Sequence, residues 1–380
     1  MFAVDHGRSS AGGIIEHMAI TEASVRAAIE SFVEPCSQQP LAQAGVLRTL
    51  EIAPATLRVA IELGFPTLGY THSLQSALQS HLQQHGITLP LTLELSSAIQ
   101  AHAVQRSLKP LAGVKNIVAV ASGKGGVGKS TVAVNLALAW VAGGARVGIL
   151  DADIYGPSQP LMLGLAGSHP SSPDGKLIRP LQAHGLSAMS IGFLVDAGQA
   201  VVWRGPMVTQ ALTQLLTDTE WGELDYLVVD MPPGTGDIQL TLAQRVPVSG
   251  AIIVTTPQDI ALADARKGLA MFDKVSVPVL GIVENMSVHV CSHCGHSEHI
   301  FGAGGGARLA AEHGIRLLGE LPLDVRIREQ ADGGRPTVVA EPQSPAAQAY
   351  IDAARRAAAV LSLRARDRST LFPKIVVEDS

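Results

Sequence analysis

An apolar run, Ile117 to Ala121, leads straight into Gly123-Lys124-Gly125-Gly126-Val127-Gly128-Lys129-Ser130, and a helical pattern opens immediately beyond it. A glycine-rich turn between a buried strand and a helix belongs to α/β architectures in which backbone N–H groups and a helix N-terminus face anionic oxygens. Gly125, Gly126 and Gly128 let the backbone turn its N–H groups toward phosphate without a Cβ in the way, and Lys129 adds a compact positive charge. Ser130 offers a hydroxyl to magnesium, and Thr131 a hydrogen bond to the α-phosphate. Gly123 to Thr131, Val127 included, therefore reads as a cradle for ATP and magnesium.

The segments around this loop agree with it. Val147 to Leu150, Tyr226 to Val229, Ala251 to Thr255 and Val279 to Val283 are short, β-branched-rich runs without polar alternation, as expected of parallel strands covered on both faces. The predicted fold class is α/β, a P-loop NTPase with a mostly parallel sheet covered by helices on both faces, preceded by a small α/β domain. That first domain is read from 18 to 106: a helix from Thr21 that Pro35 ends, alternation at Leu57, Val59, Ile61 and Leu63, a helix from Ser73 to His85 with Leu74, Leu78 and Leu82 on one face, and a strand over Ile87 to Leu95. A linker is expected at 107–115, the ATPase domain at 116–365 with a closing helix over Ser344 to Leu363, a disordered tail at 1–17 and a C-terminal tail at 366–380.

Composition excludes several classes. With 380 residues, 47% of them hydrophobic, the chain can bury a sizeable core. An aromatic content of 4% argues against a stacking surface for single-stranded nucleic acid, and a net charge of -5 leaves no global basic field for phosphate backbones or acidic lipid. No apolar run reaches the roughly 18 residues that span a bilayer, and no signal peptide opens the chain. Three cysteines do not make a disulfide framework. The expectation is a cytoplasmic protein with neither nucleic acid nor membrane as partner.

Two acidic segments lie at strand ends, Asp151-Ala152-Asp153 and Asp230 before Met231-Pro232-Pro233-Gly234-Thr235-Gly236-Asp237. Carboxylates there can hold magnesium or orient an attacking water, although Asp151 alone would also serve as a plain helix cap. Lys124 is a lysine that an ordinary phosphate loop does not require; it resembles the signature lysine of the deviant Walker A group, which includes the MinD and ParA ATPases and the nitrogenase iron protein. Within that group, Trp221 to Asp237, Asp151 to Ser158, Trp203-Arg204-Gly205-Pro206, Glu284-Asn285-Met286 and Cys291-Ser292-His293-Cys294-Gly295 together resemble the Mrp, or ApbC-like, family over roughly Asn116 to Ala357. The resemblance implies an iron-sulfur cluster carrier with ATPase activity. It further implies a Lys124 that crosses a dimer interface to the partner's nucleotide, Asp153 as the water-orienting residue, Asp230 as the Walker B magnesium residue with Asp151 supporting its shell, and Asn285 against adenine. The first domain resembles the iron-sulfur-assembly-associated domain that often precedes such proteins.

Cys291 and Cys294 carry their own argument. Two thiolates are half of a tetrahedral set, and a second copy of the chain would complete four, enough for a four-iron four-sulfur cluster between subunits. Such a cluster would be exposed and removable. Zinc competes for the pair, because His296 and His299 could complete a set of four ligands within one chain, with His293 close by. Cys36 has no neighbouring thiol and reads as a bystander. The favoured reading is a homodimeric ATPase that takes clusters from upstream scaffolds and delivers them to apoproteins. The alternative is a positioning or scaffold ATPase of the MinD or ParA kind with a structural zinc site; a nitrogenase-like electron donor is disfavoured, since its cluster cysteines are far apart in sequence.

Overall fold

Every residue of four strands is buried: Ile117–Ala121, Val147–Asp151, Tyr226–Asp230 and Gly250–Thr255. Because successive side chains of a strand point to opposite faces, burial without alternation requires cover on both sides. The computed structural model describes residues 21–105, 108–173, 175–194, 205–291 and 293–366. The expected tail at 1–17, the Trp203-Arg204 pair and all of the expected C-terminal tail except Arg366 lie outside them.

The N-terminal part begins with α1 (Glu22–Ser31), capped by Thr21 in a reciprocal box with Ser24. It stops at Ser31 rather than running to Pro35, and Phe32 turns into the core. A two-residue ladder, β1 (Val33–Glu34) with β2 (Gln39–Pro40), and a short α2 (Leu41–Ala44) precede β3 (Gly45–Ala53) and β4 (Thr56–Leu63). Helix α3 (Thr71–Gln84) buries Leu74, Leu78 and Leu82 as their spacing predicts. It leads to β5 (Leu91–Ser97), which starts only after Pro90 rather than at Ile87. The sheet order is β3-β4-β5, antiparallel in the first pair and parallel in the second.

The larger sheet contains β6 (Ile117–Ala121), β7 (Val147–Asp151), β8 (Leu181–Ala183), β9 (Leu186–Ser190), β10 (Tyr226–Asp230), β11 (Gly250–Thr255), β12 (Val279–Val290), β13 (Ser297–Glu298) and β14 (Leu317–Pro322). Its order is β13-β12-β11-β6-β10-β7-β9-β8, with β14 also on β12; only β8 and β13 run antiparallel to their neighbours. The strand carrying the glycine loop is central, and its neighbours β10 and β11 end beside it, so the ligand crevice lies at their carboxyl ends.

Helices cover this sheet: α4 (Lys129–Ala142), α5 (Gln159–Met162), α6 (Gly205–Thr217), α7 (Asp237–Arg245), α8 (Asp259–Lys274), α9 (Gly305–Glu312), α10 (Val325–Asp332), α11 (Thr337–Ala340) and α12 (Pro345–Ser362). α4 is apolar on nearly every side and buried throughout its middle, the mark of a central helix; α12 packs along it. The Trp140 ring stacks on Tyr226 at 4.6 Å, and its Nε1 donates to the Ala354 carbonyl at 2.7 Å. The expected linker is held at both ends: Gln105 Nε2 donates to the Ala243 carbonyl at 2.8 Å, and Lys115 N–H donates to the Leu224 carbonyl at 2.9 Å. Among the described residues no helix is long and apolar enough to cross a membrane.

Candidate nucleotide and cysteine sites

The glycine loop leaves β6 at Ser122 and closes on α4, whose N-cap, Gly128, sits at φ 79°. Gly126, at φ 81°, shares the left-handed conformation and has open space where a Cβ would lie. Gly123 is glycine for another reason: a Cβ there would come within 2.2 Å of the Asp264 backbone in α8. Val127 is buried beneath the loop, while Gly125 and Gly126 are exposed on its crest. Lys129 and Ser130 open the helix, so the first N–H groups of α4 face the same crevice, and Thr131 follows on the same turn.

Opposite the loop, the ends of β7 and β10 bring three aspartates together. Lys129 Nζ donates to Asp230 Oδ1 and to Ser130 Oγ (3.0 Å), and both members of the ion pair are buried. The second Asp230 oxygen accepts from Gln159 Nε2 at 2.9 Å, which also donates to the Ser130 carbonyl at 3.1 Å. Asp151 is fully engaged: Oδ1 accepts from the Asp153 N–H (3.2 Å), and Oδ2 accepts from the N–H groups of Ser158 and Gln159 (3.0 Å each) and from Ser190 Oγ (3.2 Å). Burial and then the Asp230 charge push its carboxyl upward, against these donors and the Lys129 ammonium. Asp153 is also pushed upward by burial, with Lys129 as the nearest opposing charge. Asp151 thus fastens the 152–159 loop to the sheet, Asp230 faces Ser130, and Asp153 stands at the crevice edge.

Two residues without an assigned role in the sequence reading complete this side. Gln159 ties Ser130 to Asp230, and only its position after the Asp151 loop could have suggested it. Glu284, noted in the sequence only as part of the Glu284-Asn285-Met286 segment and without a role of its own, is buried in β12 and accepts from the Gly306 N–H at the start of α9.

Asn285 reaches the loop itself, its Nδ2 donating to the Val127 carbonyl at 2.9 Å. Lys124 Nζ lies 3.5 Å from Gln258 Oε1 of its own chain, on the flank of the loop where α8 begins with the exposed Ile260.

The cysteine pair sits where β12 turns into β13. Cys291 N–H donates to the His296 carbonyl and Gly295 N–H to the Cys291 carbonyl, both at 2.9 Å, with Gly295 at φ 73°. This tight turn aims the backbone N–H groups of Cys294 and His293 at the Cys291 sulfur, holding its thiol below the ordinary range, with the Cys294 thiol next in effect. Cys294 is exposed and Cys291 half-buried. The closed four-ligand zinc set is not assembled: among the described residues no three His, Cys, Asp or Glu side chains gather around a common metal position; His296 Nε2 lies 3.9 Å from Glu298, and His299 Nδ1 is bonded to the Ser287 carbonyl at 2.7 Å.

Cys36 lies far from this hairpin. It is buried beside Tyr70 (Sγ to Oη 3.5 Å) and Glu34, and its thiol is pushed up to about 12 by burial and then by the Glu34 charge. It remains a neutral thiol in the N-terminal core.

Comparison with known proteins agrees with this geometry. A family model described as ParA, NUBPL iron-transfer P-loop NTPase, matches residues 113–358. An iron-sulfur cluster carrier protein of Haemophilus influenzae is 53% identical over 334 residues, covering 87% of this chain and 90% of that protein. The mouse iron-sulfur cluster transfer protein NUBPL is 56% identical over 245 residues, 64% of this chain and 76% of that one. Among solved structures, a nucleotide-binding protein of Archaeoglobus fulgidus in complex with ADP superimposes with a TM-score of 0.55 at 38% identity, covering 62% of this chain and 91% of the other. A sheet centred on the glycine loop, a Lys129–Asp230 pair at its strand ends and this match over most of the chain place the protein in the ParA/NUBPL family of iron-transfer P-loop NTPases.

Proposed function

We propose that the chain is a cytoplasmic, ATP-binding and ATP-hydrolysing iron-sulfur cluster carrier, in which two copies share one four-iron four-sulfur cluster through Cys291 and Cys294 and pass it to apoproteins. The observation that carries this reading is the hairpin itself. Cys294 is exposed and Cys291 half-buried, backbone N–H groups are aimed at one sulfur, and among the described residues no third ligand closes over the pair. Hydrogen bonds to sulfur and solvent exposure suit a cluster that must be both held and surrendered. The zinc-bearing positioning ATPase is the poorer reading, because among the described residues no third His, Cys, Asp or Glu gathers with the two thiols and the similar proteins are named iron-sulfur cluster carriers.

The residues of the crevice fit ATP and magnesium. Left-handed Gly126 and Gly128 turn N–H groups outward, Ser130 and Asp230 present oxygens at one point, and Gln159 orders both. Magnesium would neutralise phosphate charge there. Phosphate competes with Asp230 for Lys129, so the ammonium is available to move onto the nucleotide. Asp151 keeps the Asp153 loop in place, and Asp153 orients water for attack. Lys124 belongs to the flank that a second copy would meet; there it would touch the partner's phosphates.

The test is the absorption spectrum and metal content of protein handled without oxygen, beside the Cys291→Ala, Cys294→Ala double variant. A charge-transfer band near about 400 nm, with iron and sulfide lost in the variant, is the expected result. A colourless protein with stoichiometric zinc would overturn it.

A further inference from the structure

Strand β12 joins both sites and does not run through regularly. Against β14, Glu284 pairs with Glu320 and Val288 with Pro322, so four steps on β12 oppose two on β14 and two extra residues are accommodated between them. Inside this bulge Met286 stands at φ 58°, a left-handed conformation that an unbranched residue other than glycine or asparagine rarely adopts. Such conformations persist only where surrounding contacts hold them, and they concentrate at functional sites.

The contacts of the bulge run in two directions. Toward the nucleotide crevice, Asn285 holds the Val127 carbonyl; a Cβ on Gly128 would lie 2.3 Å from Asn285 Nδ2 and 3.7 Å from Met286 Cε, so both side chains cover the last glycine of the loop. Toward the cysteines, the Ser287 carbonyl accepts from His299 Nδ1 on the returning limb of the hairpin, and Ser287 Oγ donates to the Leu321 carbonyl at 3.1 Å. Glu284, whose Oε1 is buried without a partner, fixes the start of α9 through Gly306, where the hairpin segment ends. The returning limb of the cysteine hairpin and the start of α9 are therefore tied to Ser287 and Glu284, which flank the two residues, Asn285 and Met286, that lean on the phosphate loop.

We propose that the Glu284–Ser287 bulge transmits nucleotide occupancy to the cysteine pair, with Met286 and His299 as positioning residues for the two thiols; this rests on the carrier reading above. Ordering of Gly128 on phosphate shifts Asn285 and Met286, and the Ser287–His299 bond carries the shift into the hairpin. A left-handed bulge suits this role because strained backbone of this kind is held only by its surrounding contacts, so a change in those contacts moves it.

The test is the alkylation rate of Cys291 and Cys294 by iodoacetamide, followed by mass spectrometry on the full chain, with and without magnesium and the β,γ-imido analogue of ATP. In the unmodified protein the nucleotide is expected to change the rate about 5-fold or more. In Met286→Gly, which keeps the backbone conformation but frees it, and in His299→Ala, which cuts the tie on the hairpin side, the ratio is expected to fall below about 2-fold while nucleotide still binds. Retention of the full ratio in either variant, or its absence in the unmodified protein, would overturn the proposal. If Met286→Gly fails to fold or to bind nucleotide, His299→Ala decides alone. Alkylation needs no cluster, so failure here leaves the iron content, and with it the carrier reading, separately measurable.

Discussion

Gly128 carries two constraints at once, a left-handed backbone and an amide nitrogen where its Cβ would be, whereas Gly126 carries only the first. Gly126→Ala is therefore expected to lose about 1–2 kcal/mol of stability, the conformational cost alone. Gly128→Ala adds the displacement of Asn285, of the order of 1–3 kcal/mol more, and should also weaken nucleotide binding. Denaturant melts and nucleotide titrations of the two variants separate these contributions; equal losses would show that Asn285 yields freely. Cys291 supplies a pH prediction. Its folded pKa is lowered, so the reactive thiolate persists to a lower pH than in the unfolded chain. The pH midpoint for alkylation of native Cys291 should lie below that of the same cysteine in urea, and a midpoint at or above the unfolded one would remove the aimed N–H groups from the account.

At the scale of elements, what was legible followed from unambiguous periodicity. The apolar runs that begin at Ile117, Val147, Tyr226, Ala251 and Val279 became strands of the large sheet, and Leu74, Leu78 and Leu82 became one buried face of α3. The antiparallel edge β8 and its partner β9 were not foreseen, because Leu181–Ala183 is too short to show alternation and Leu186–Ser190 mixes serine with small apolar residues. β12 extends seven residues past Val283 to Val290, through polar residues that no strand pattern marks; neighbours β13 and β14, rather than its own side chains, keep it extended. The same reason hid Glu284 and Gln159, whose roles depend on partners distant in sequence. α12 shows how a modest sequence signal becomes a strong element: its alanines allow close approach to β14, where a Cβ on Gly319 would meet Ala353 at 3.0 Å, and to α4 through Trp140. Trp140→Ala should cost about 3–5 kcal/mol in a thermal or denaturant melt. A loss under about 1 kcal/mol would mean that the α4–α12 seam repacks.

For the whole molecule, the N-terminal sheet is docked on the ATPase body through specific polar contacts. Arg316 Nη1 donates to the Cys36 carbonyl at 2.7 Å, the Arg355 guanidinium lies 4.6 Å from the Tyr70 ring centroid, and Arg366, beyond the closing helix, bridges back to His102. A sequence reading that divides the chain at residues 107–115 sees none of this, since each contact joins segments hundreds of positions apart or folded back from the far end. At the crevice and the cysteine hairpin, the proposed function asks a second chain for the other half of the ligands: one chain offers two thiols and a Lys124 bonded to its own Gln258. Native mass spectrometry of oxygen-free, cluster-loaded protein tests this most directly. The account predicts a species of two chains with four irons and four sulfides that falls to cluster-free protein in the Cys291→Ala, Cys294→Ala variant; a single chain holding its own metal, or a cluster that survives loss of both cysteines, would contradict it.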